Sequence, residues 1–352
     1  MNRVVALILH GRPGPGSGPL TEAFAGIRRR NADRLAERFR LAGADAVRVI
    51  DEAADDRSFG NRLRDLVRAS SADGIIVLGS GSVPLARTTD LAAFVATAAG
   101  PAGHALANNR FSADLVAIAG IACLAELPNL AADNGLPRWL ADGAGYAVED
   151  VRSRWRLQVD LDSPLDVLLC GAPDRMALEA AGVSVDVVRA ALQRVAAVGR
   201  DPRAELVVAG RASAAGLAWL ERASASRTRA LIEERGFRTR RDGQRPVRSS
   251  LGLLLDRDGP AALGAILAEL GDGALIDTRV LLAHRLGADE SRWPAAEDRF
   301  ASDLLLADRI VDPWLRSLTA AARDATIPIV LGGHSLVGPG LRLALGEGRA
   351  WT

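Results

Sequence analysis

The sequence predicts an α/β protein of two domains, the first built around a mostly parallel sheet. Three observations predict it. The first hundred or so residues alternate short apolar runs with amphipathic stretches, a β-α-β-α-β-α order that right-handed crossovers turn into a parallel sheet. The apolar runs are continuous, as in strands buried on both faces. The chain has 352 residues, long for one core, and the strand-helix pattern restarts in its second half.

Val4 to Leu9 is the first such run, and it ends in a loop rich in Gly and Pro, His10 to Gly18. A helix follows, with Leu35, Phe39 and Ala42 at i, i+4 and i+7. Ala46 to Ile50 reads as the second strand, Leu63, Leu66 and Val67 mark a second helix, and Gly74 to Leu78 is the third strand. The third helix carries Leu91, Phe94 and Val95, with Thr88 to Asp90 as cap candidates. Leu115 to Ile118 and Trp155 to Leu161 are expected to complete the sheet; Leu157, Val159 and Leu161 alternate as strand residues do. Ala172-Pro173 reads as a hinge, placing the domains at 1–171 and 172–352.

Beyond the hinge, Val187 to Val198 is predicted helix, Ala204 to Ala209 strand and Ala214 to Arg235 helix. Residues 236–250 read as an arginine-rich linker, and Ala274 to Leu282 as strand. Pro313 to Arg323 is predicted helix, with Asp312 as cap and Pro313 in its first turn, and Ile327 to Leu331 is strand.

Composition narrows the function. Hydrophobic residues make up 49% and charged residues 25%, as in ordinary globular proteins. A net charge of +1 gives no field that would gather nucleic acid or a membrane surface. No run is long enough to span a bilayer and none resembles a signal peptide, so a cytoplasmic protein is expected. All basic side chains are arginine, so any anion clamp must be Arg or backbone N–H. Cys123 and Cys170 sit in apolar runs and read as small packed residues.

The segment Val159-Asp160-Leu161-Asp162-Ser163-Pro164 carries the most chemistry. Two carboxylates at a strand end, beside a Ser-Pro helix start, read first as a capped turn and second as a place for a divalent cation. Gly11, Arg12, Gly14, Gly16 and Gly18 form a loop in which backbone N–H groups can approach phosphate oxygens. Gly79-Ser80-Gly81-Ser82 offers a second cradle through Ser80 and Ser82, and Asn108 and Asn109 offer paired donors and acceptors for a base or sugar. The second half has its own polar set: Asp277, Arg279, His284 and His334, the last following Gly332-Gly333 at a strand end.

Taken in order, the glycine-rich loop, Val83-Pro84-Leu85 with Thr88-Thr89-Asp90-Leu91, Asn108-Asn109-Arg110-Phe111, and Val159 to Asp166 resemble the nucleotidyltransferases with a GT-A-like, Rossmann-like fold. The nearest are the 2-phospholactate and molybdenum-cofactor guanylyltransferases. The resemblance covers the N-terminal half. It implies transfer of a nucleoside monophosphate from an NTP, GTP for preference, to a small phosphorylated acceptor. Asp160 and Asp162 would then be the catalytic, Mg²⁺-holding pair. Ser82 stands where the family places a metal-holding acid, and the loop has no lysine. The alternative is therefore a nucleotide- or phosphate-binding sensor or scaffold, with any activity in the second domain, itself α/β. The expected partner is a nucleotide or phosphorylated small molecule, with no nucleic acid and no membrane; the sequence leaves the oligomeric state open.

Overall fold

The structure, a computed structural model, describes residues 2–52, 57–171, 175–236 and 245–346. It is mixed α/β and divides into two compact units, the first Met1–Gly16 with Ala25–Leu161, the second Ser17–Phe24 with Asp162–Thr352. Among the described residues no helix is long and apolar enough to cross a membrane.

The first unit runs β1 (Val4–Gly11), α1 (Pro19–Leu41, whose first turns count with the second unit), β2 (Ala46–Glu52), α2 (Phe59–Arg68), β3 (Gly74–Gly79), α3 (Thr88–Ala98), β4 (His104–Ala107), β5 (Leu115–Ala119), α4 (Leu136–Asp142) and β6 (Ala147–Asp150). The strands lie in the order β2-β1-β3-β5-β4-β6. β1 pairs in parallel with β2 and β3, and β4 with β6, while β5 runs antiparallel to both neighbours. Val4 to Leu9 of β1 and Ile75 to Leu78 of β3 are apolar because both faces are covered. Ala6, Ile8, Ile76 and Leu78 meet Leu35 and Phe39 of α1 and Leu91 and Phe94 of α3. On the other face Val5, Leu7, Ile75 and Val77 meet Phe59 and Leu63 of α2 and Leu136 and Leu140 of α4. Gly74 is required by close approach: a Cβ there would stand 1.9 Å from the carbonyl oxygen of Ala98.

One expectation fails in this unit. Trp155–Gln158 is a single 3₁₀ turn, and Asp160 touches the sheet only through an isolated antiparallel bridge to Ser82, so residues 155–161 are not a strand of the sheet. Leu157 and Leu161 are nonetheless fully buried; an apolar spacing of two can serve a buried loop as well as a strand. The four-residue strands β4 and β6 are too short for periodicity to reveal.

The second unit continues α5 (Pro164–Leu169), α6 (Arg175–Ala180), α7 (Asp186–Val198), β7 (Glu205–Gly210), α8 (Ala214–Ala223), β8 (Arg227–Ile232), α9 (Ser250–Asp258), α10 (Leu263–Leu270), β9 (Gly273–Asp277), α11 (Thr278–Leu286), α12 (Ala296–Asp303), α13 (Pro313–Arg323), β10 (Ile329–Gly332), α14 (His334–Val337) and α15 (Leu341–Ala344). Its sheet, β10-β9-β7-β8, is all parallel. The chain adds β8 on one side of β7 and β9 with β10 on the other, so the order reverses between β7 and β9.

Two predicted elements are corrected here. The expected helix from Ala214 to Arg235 stops at Ala223, and Arg227–Ile232 is the edge strand β8. Edge strands carry exposed charge; Arg227 and Arg229 reach Glu205 of β7, and this made the strand resemble a solvated helix. The expected strand from Ala274 to Leu282 ends at Asp277, where the helix α11 begins. Residues 278–284 are all buried, and a helix buried all round reads as a continuous apolar run, as a buried strand does. Ala172-Pro173 and residues 237–244 of the expected linker lie outside the described residues.

Candidate functional site

In the first unit, the carboxyl ends of β1 and β3 lie side by side, and several polar segments converge on them. Asn31 supplies the frame. It sits between Ile27 and Leu35 on the buried stripe of α1, and its Nδ2 donates to the carbonyls of Ser80 (2.9 Å) and Ser82 (3.2 Å). His10, at the end of β1, contacts Ser80 Oγ through Nδ1 at 3.0 Å. Burial, then the Arg28 guanidinium, holds the His10 pKa below the ordinary imidazole value, so the neutral ring is favoured. Gly81 lets two charged groups close on the loop: a Cβ there would stand 3.0 Å from Arg28 Nε and 3.4 Å from Asp160 Oδ1. The bridge between Ser82 and Asp160, with Leu161 N–H donating to Gly81 C=O at 2.9 Å, ties residues 160–161 to this loop. Val83, buried and β-branched, has φ of +42°. Such a backbone is worth about 1–3 kcal/mol of strain and is typical of positions next to ligand sites.

A cavity of about 320 Å³ opens beside this edge. Its lining includes the apolar Leu9, Phe59, Val77 and Leu136, the polar Arg28, Arg62, Asp114 and Asp133, and Gly11 and Gly79. An apolar slot with a few convergent polar groups is the usual form of a small-molecule site.

The residues singled out from the sequence fare differently. Gly11 lines the cavity, while Arg12 is exposed and Gly14 and Gly16 stand on the loop in the first unit. Gly18 belongs to the second unit and packs on Glu297, whose carboxylate accepts from Leu20 N–H (3.0 Å), Thr21 N–H (2.8 Å) and Thr21 Oγ1 (2.8 Å). The donors at the start of α1, just beyond that loop, are therefore engaged by a side-chain carboxylate. Ser80 Oγ is paired with His10, and Ser82 Oγ accepts from Gly79 N–H at 3.1 Å, so both hydroxyls shape the loop. Asn108 is buried: its Oδ1 accepts from the N–H groups of Asp114 and Leu115, and its Nδ2 donates to Leu157 C=O. It is a structural clamp, with no edge left for a base. Asn109 is similarly used, accepting from Phe111 N–H and donating to Gln158. Asp160 stands in the first unit and Asp162 in the second. His10, Asn31 and Asp114 were missed as site residues. The available signal was an asparagine placed i, i+4 between Ile27 and Leu35, a polar interruption of an apolar stripe.

The second unit gathers its own polar residues at the carboxyl edge of its sheet. Asp277, at the end of β9, accepts from Arg211 Nε (2.6 Å) and Nη2 (3.1 Å) and from Arg279 N–H (3.1 Å). Burial alone would raise its pKa, but Arg211 outweighs this and holds the carboxylate ionised. Arg279 forms a fork with both oxygens of Asp303. His334 Nδ1 meets the carbonyl of Arg211 at 3.1 Å. Asp277, Arg279 and His334 thus come together, as Thr278 does through its bond to Gly332 C=O. His284 does not: in the last turn of α11, its Nδ1 accepts from Ser249 N–H and its Nε2 meets Asp256.

The predicted helix start at Ser163-Pro164 is present, with Asp166 Oδ2 accepting from Ser163 N–H (2.8 Å) and Asp162 N–H (2.9 Å). Burial, then the charges of Asp162 and Asp303, raise the Asp166 pKa well above the usual carboxyl range. A carboxyl whose folded pKa is raised lends full stability below its unfolded value, about 4, and loses it as pH rises through the folded value. Asp166→Asn keeps the accepting oxygen and removes the titration. Urea midpoints measured from about pH 4 upward are expected to decline less in the variant; equal declines would exclude a protonated Asp166.

Among the described residues no three or more His, Cys, Asp or Glu side chains are grouped to hold a metal.

No family model and no curated protein matches the chain. Solved structures resemble about half of it. A nucleotidyl transferase from Methanothermobacter is 14% identical over 51% of this chain and 100% of its own, with a TM-score of 0.36. Rv0371c from Mycobacterium tuberculosis is 16% identical over 51% and 98%, with a TM-score of 0.28. A CMP:2-keto-3-deoxy-manno-octonic acid synthetase complexed with CTP is 14% identical over 42% and 89%, with a TM-score of 0.25. Values this low establish no shared activity. What the molecule itself defines is a mixed α/β protein with a cavity at the carboxyl edge of its first sheet.

Proposed function

We propose that the first unit binds a nucleoside triphosphate at the carboxyl edge of β1 and β3 and transfers its nucleoside monophosphate to a small phosphorylated acceptor. The observation that carries this reading is the closure of Asp160 and Arg28 on Gly81, beside a cavity of nucleoside size. Arg28 and Arg62 supply the only kind of cationic side chain this sequence has for phosphate oxygens. The apolar wall suits a base, with Asp114 and Asp133 as acceptors for its N–H groups. Asp160 would hold a Mg²⁺ that arrives with the phosphates, and the ion would neutralise the oxygens during in-line attack. GTP is the triphosphate that the family resemblance implies.

Calorimetric titration of the full chain with each NTP in Mg²⁺ tests binding, and pyrophosphate release with a phosphorylated acceptor tests transfer. Asp160→Asn is expected to weaken NTP binding about tenfold or more, the worth of one charge-assisted contact of about 1.5–3 kcal/mol. Equal binding by wild type and variant overturns the assignment. Tight binding without pyrophosphate supports the sensor reading instead. That reading draws on Ser82, an uncharged side chain already bonded to Gly79 N–H.

A further inference from the structure

We propose that β8 is the contact between two copies of this chain, which pair antiparallel through their β8 edges and join two four-stranded sheets into one. Among the described residues β8 is the last strand on its side of the sheet. Residues 227–230 and Ile232 are exposed, Ile232 by 44%. On the inner side, Arg227 N–H donates to Ala204 C=O and Glu233 N–H to Gly210 C=O, both at 3.0 Å. Successive residues of a parallel ladder turn their backbone groups to opposite sides, so Thr228, Ala230 and Ile232 point theirs outward. Such a row of donors and acceptors is a template for another strand.

The residue pattern says which strand fits. A two-fold axis normal to the sheet makes two copies of one edge strand antiparallel and sets one residue opposite its own copy. Centred on Arg229, the pairing would set like charges directly opposite. Centred on Leu231, it would bring Thr228 opposite Glu234, whose φ of +54° has already left the strand. Centred on Ala230, it gives every outward N–H and C=O of Thr228, Ala230 and Ile232 a partner. Arg229 then lies opposite Leu231, Thr228 opposite Ile232, and Arg227 opposite Glu233 of the second copy. Ala230, at the axis, has a side chain small enough for the two strands to meet.

Charged side chains on an edge strand ordinarily ward off pairing. Here they select one register. Arg229 is drawn back over its own sheet by Glu205 (2.9 Å) and Leu270 C=O (3.1 Å), which leaves the edge open. Arg227 is 74% exposed and 4.0 Å from Glu205, a loose pair that lets it turn to an acid across the axis. Glu233 is held at the strand end through one oxygen by Ser250 N–H at 2.7 Å. The symmetry forms this Arg–Glu pair twice, and charge complementarity of the strand with itself is what favours a second copy over another partner.

Sedimentation equilibrium of the full chain from about 1 to 100 μM is the first test, a range suited to an interface of modest area. The mass is expected to rise from 37.0 kDa toward twice that value, and a constant 37.0 kDa overturns the proposal. Ala230→Pro removes an outward N–H at a place where an edge strand tolerates proline, and is expected to stay monomeric with the wild-type circular dichroism. Arg227→Glu and Glu233→Arg each set like charges opposite at both symmetric sites, and each is expected to weaken association about tenfold. An equimolar mixture of these two variants is expected to associate as wild type does, because each swapped side chain meets the opposite charge of the other chain. Association of either variant as tight as wild type, or of the mixture no tighter than its components, overturns the proposal. NTP titration of the same variants keeps this outcome separate from the nucleotide reading, which rests on the first unit.

Discussion

Asp277→Ala is expected to destabilise the second unit by about 3–5 kcal/mol, the cost of leaving a buried charge without its partner. The Asp277 side chain is fully buried and Arg211 is 9% exposed, so water cannot replace the lost carboxylate. The substitution also removes the acceptor for Arg279 N–H, which caps α11. Because Arg211 holds the folded-state pKa of Asp277 down, the pair's contribution is present above the unfolded carboxyl value and is lost as pH falls through the folded one. The variant's stability is therefore expected to vary less on acidification. Replacing both residues by apolar ones of similar size, Arg211→Met with Asp277→Leu, leaves no orphaned charge and is expected to be milder than Asp277→Ala alone. Hydrogen exchange at the amides of β7 and β9 measures the difference. A double variant as damaged as the single would show that packing, and not the uncompensated guanidinium, dominates.

Asn31→Leu is the second large effect, about 2–4 kcal/mol for two buried carbonyls deprived of their donor. Leucine matches asparagine in branching and adds no cavity, so the loss is one of hydrogen bonding. Ser80 and Ser82 carbonyls would face an apolar side chain, and the Gly79–Ser82 turn that Asp160 and Arg28 close upon would loosen. Asn31 is not among the residues lining the cavity. Weaker NTP binding together with faster exchange at residues 79–82 would thus report a lost frame. Unchanged exchange at those amides would remove Asn31 from this role.

Much of the fold was legible because burial leaves a local mark. β1, β2, β3 and β5 announce themselves as apolar runs, α13 by Asp312 and Pro313 at its start, and α5 by Ser163-Pro164. The site was legible in fragments. Asp160 and Gly81 do meet, and Asp277, Arg279 and His334 do gather, though Asp277 and Arg279 meet as cap and helix rather than as neighbours on a strand face. Asn108 and Asn109 misled because an asparagine suited to read a base is equally suited to hold backbone, and only its neighbours decide between them.

The sequence by itself determined the layered α/β class, the alternation that makes β1 and β3 parallel, and the helix starts, because these follow from dihedral preference and burial within a few residues. Tertiary structure alone decided which polar group answers which. Asn31 serves carbonyls 49 and 51 residues away, Arg211 a carboxylate 66 away, and Thr21 a carboxylate 276 away. The physical reason is that a donor's chemistry is fixed by its residue type, while its acceptor is whichever buried group the folded sheets bring within about 3 Å.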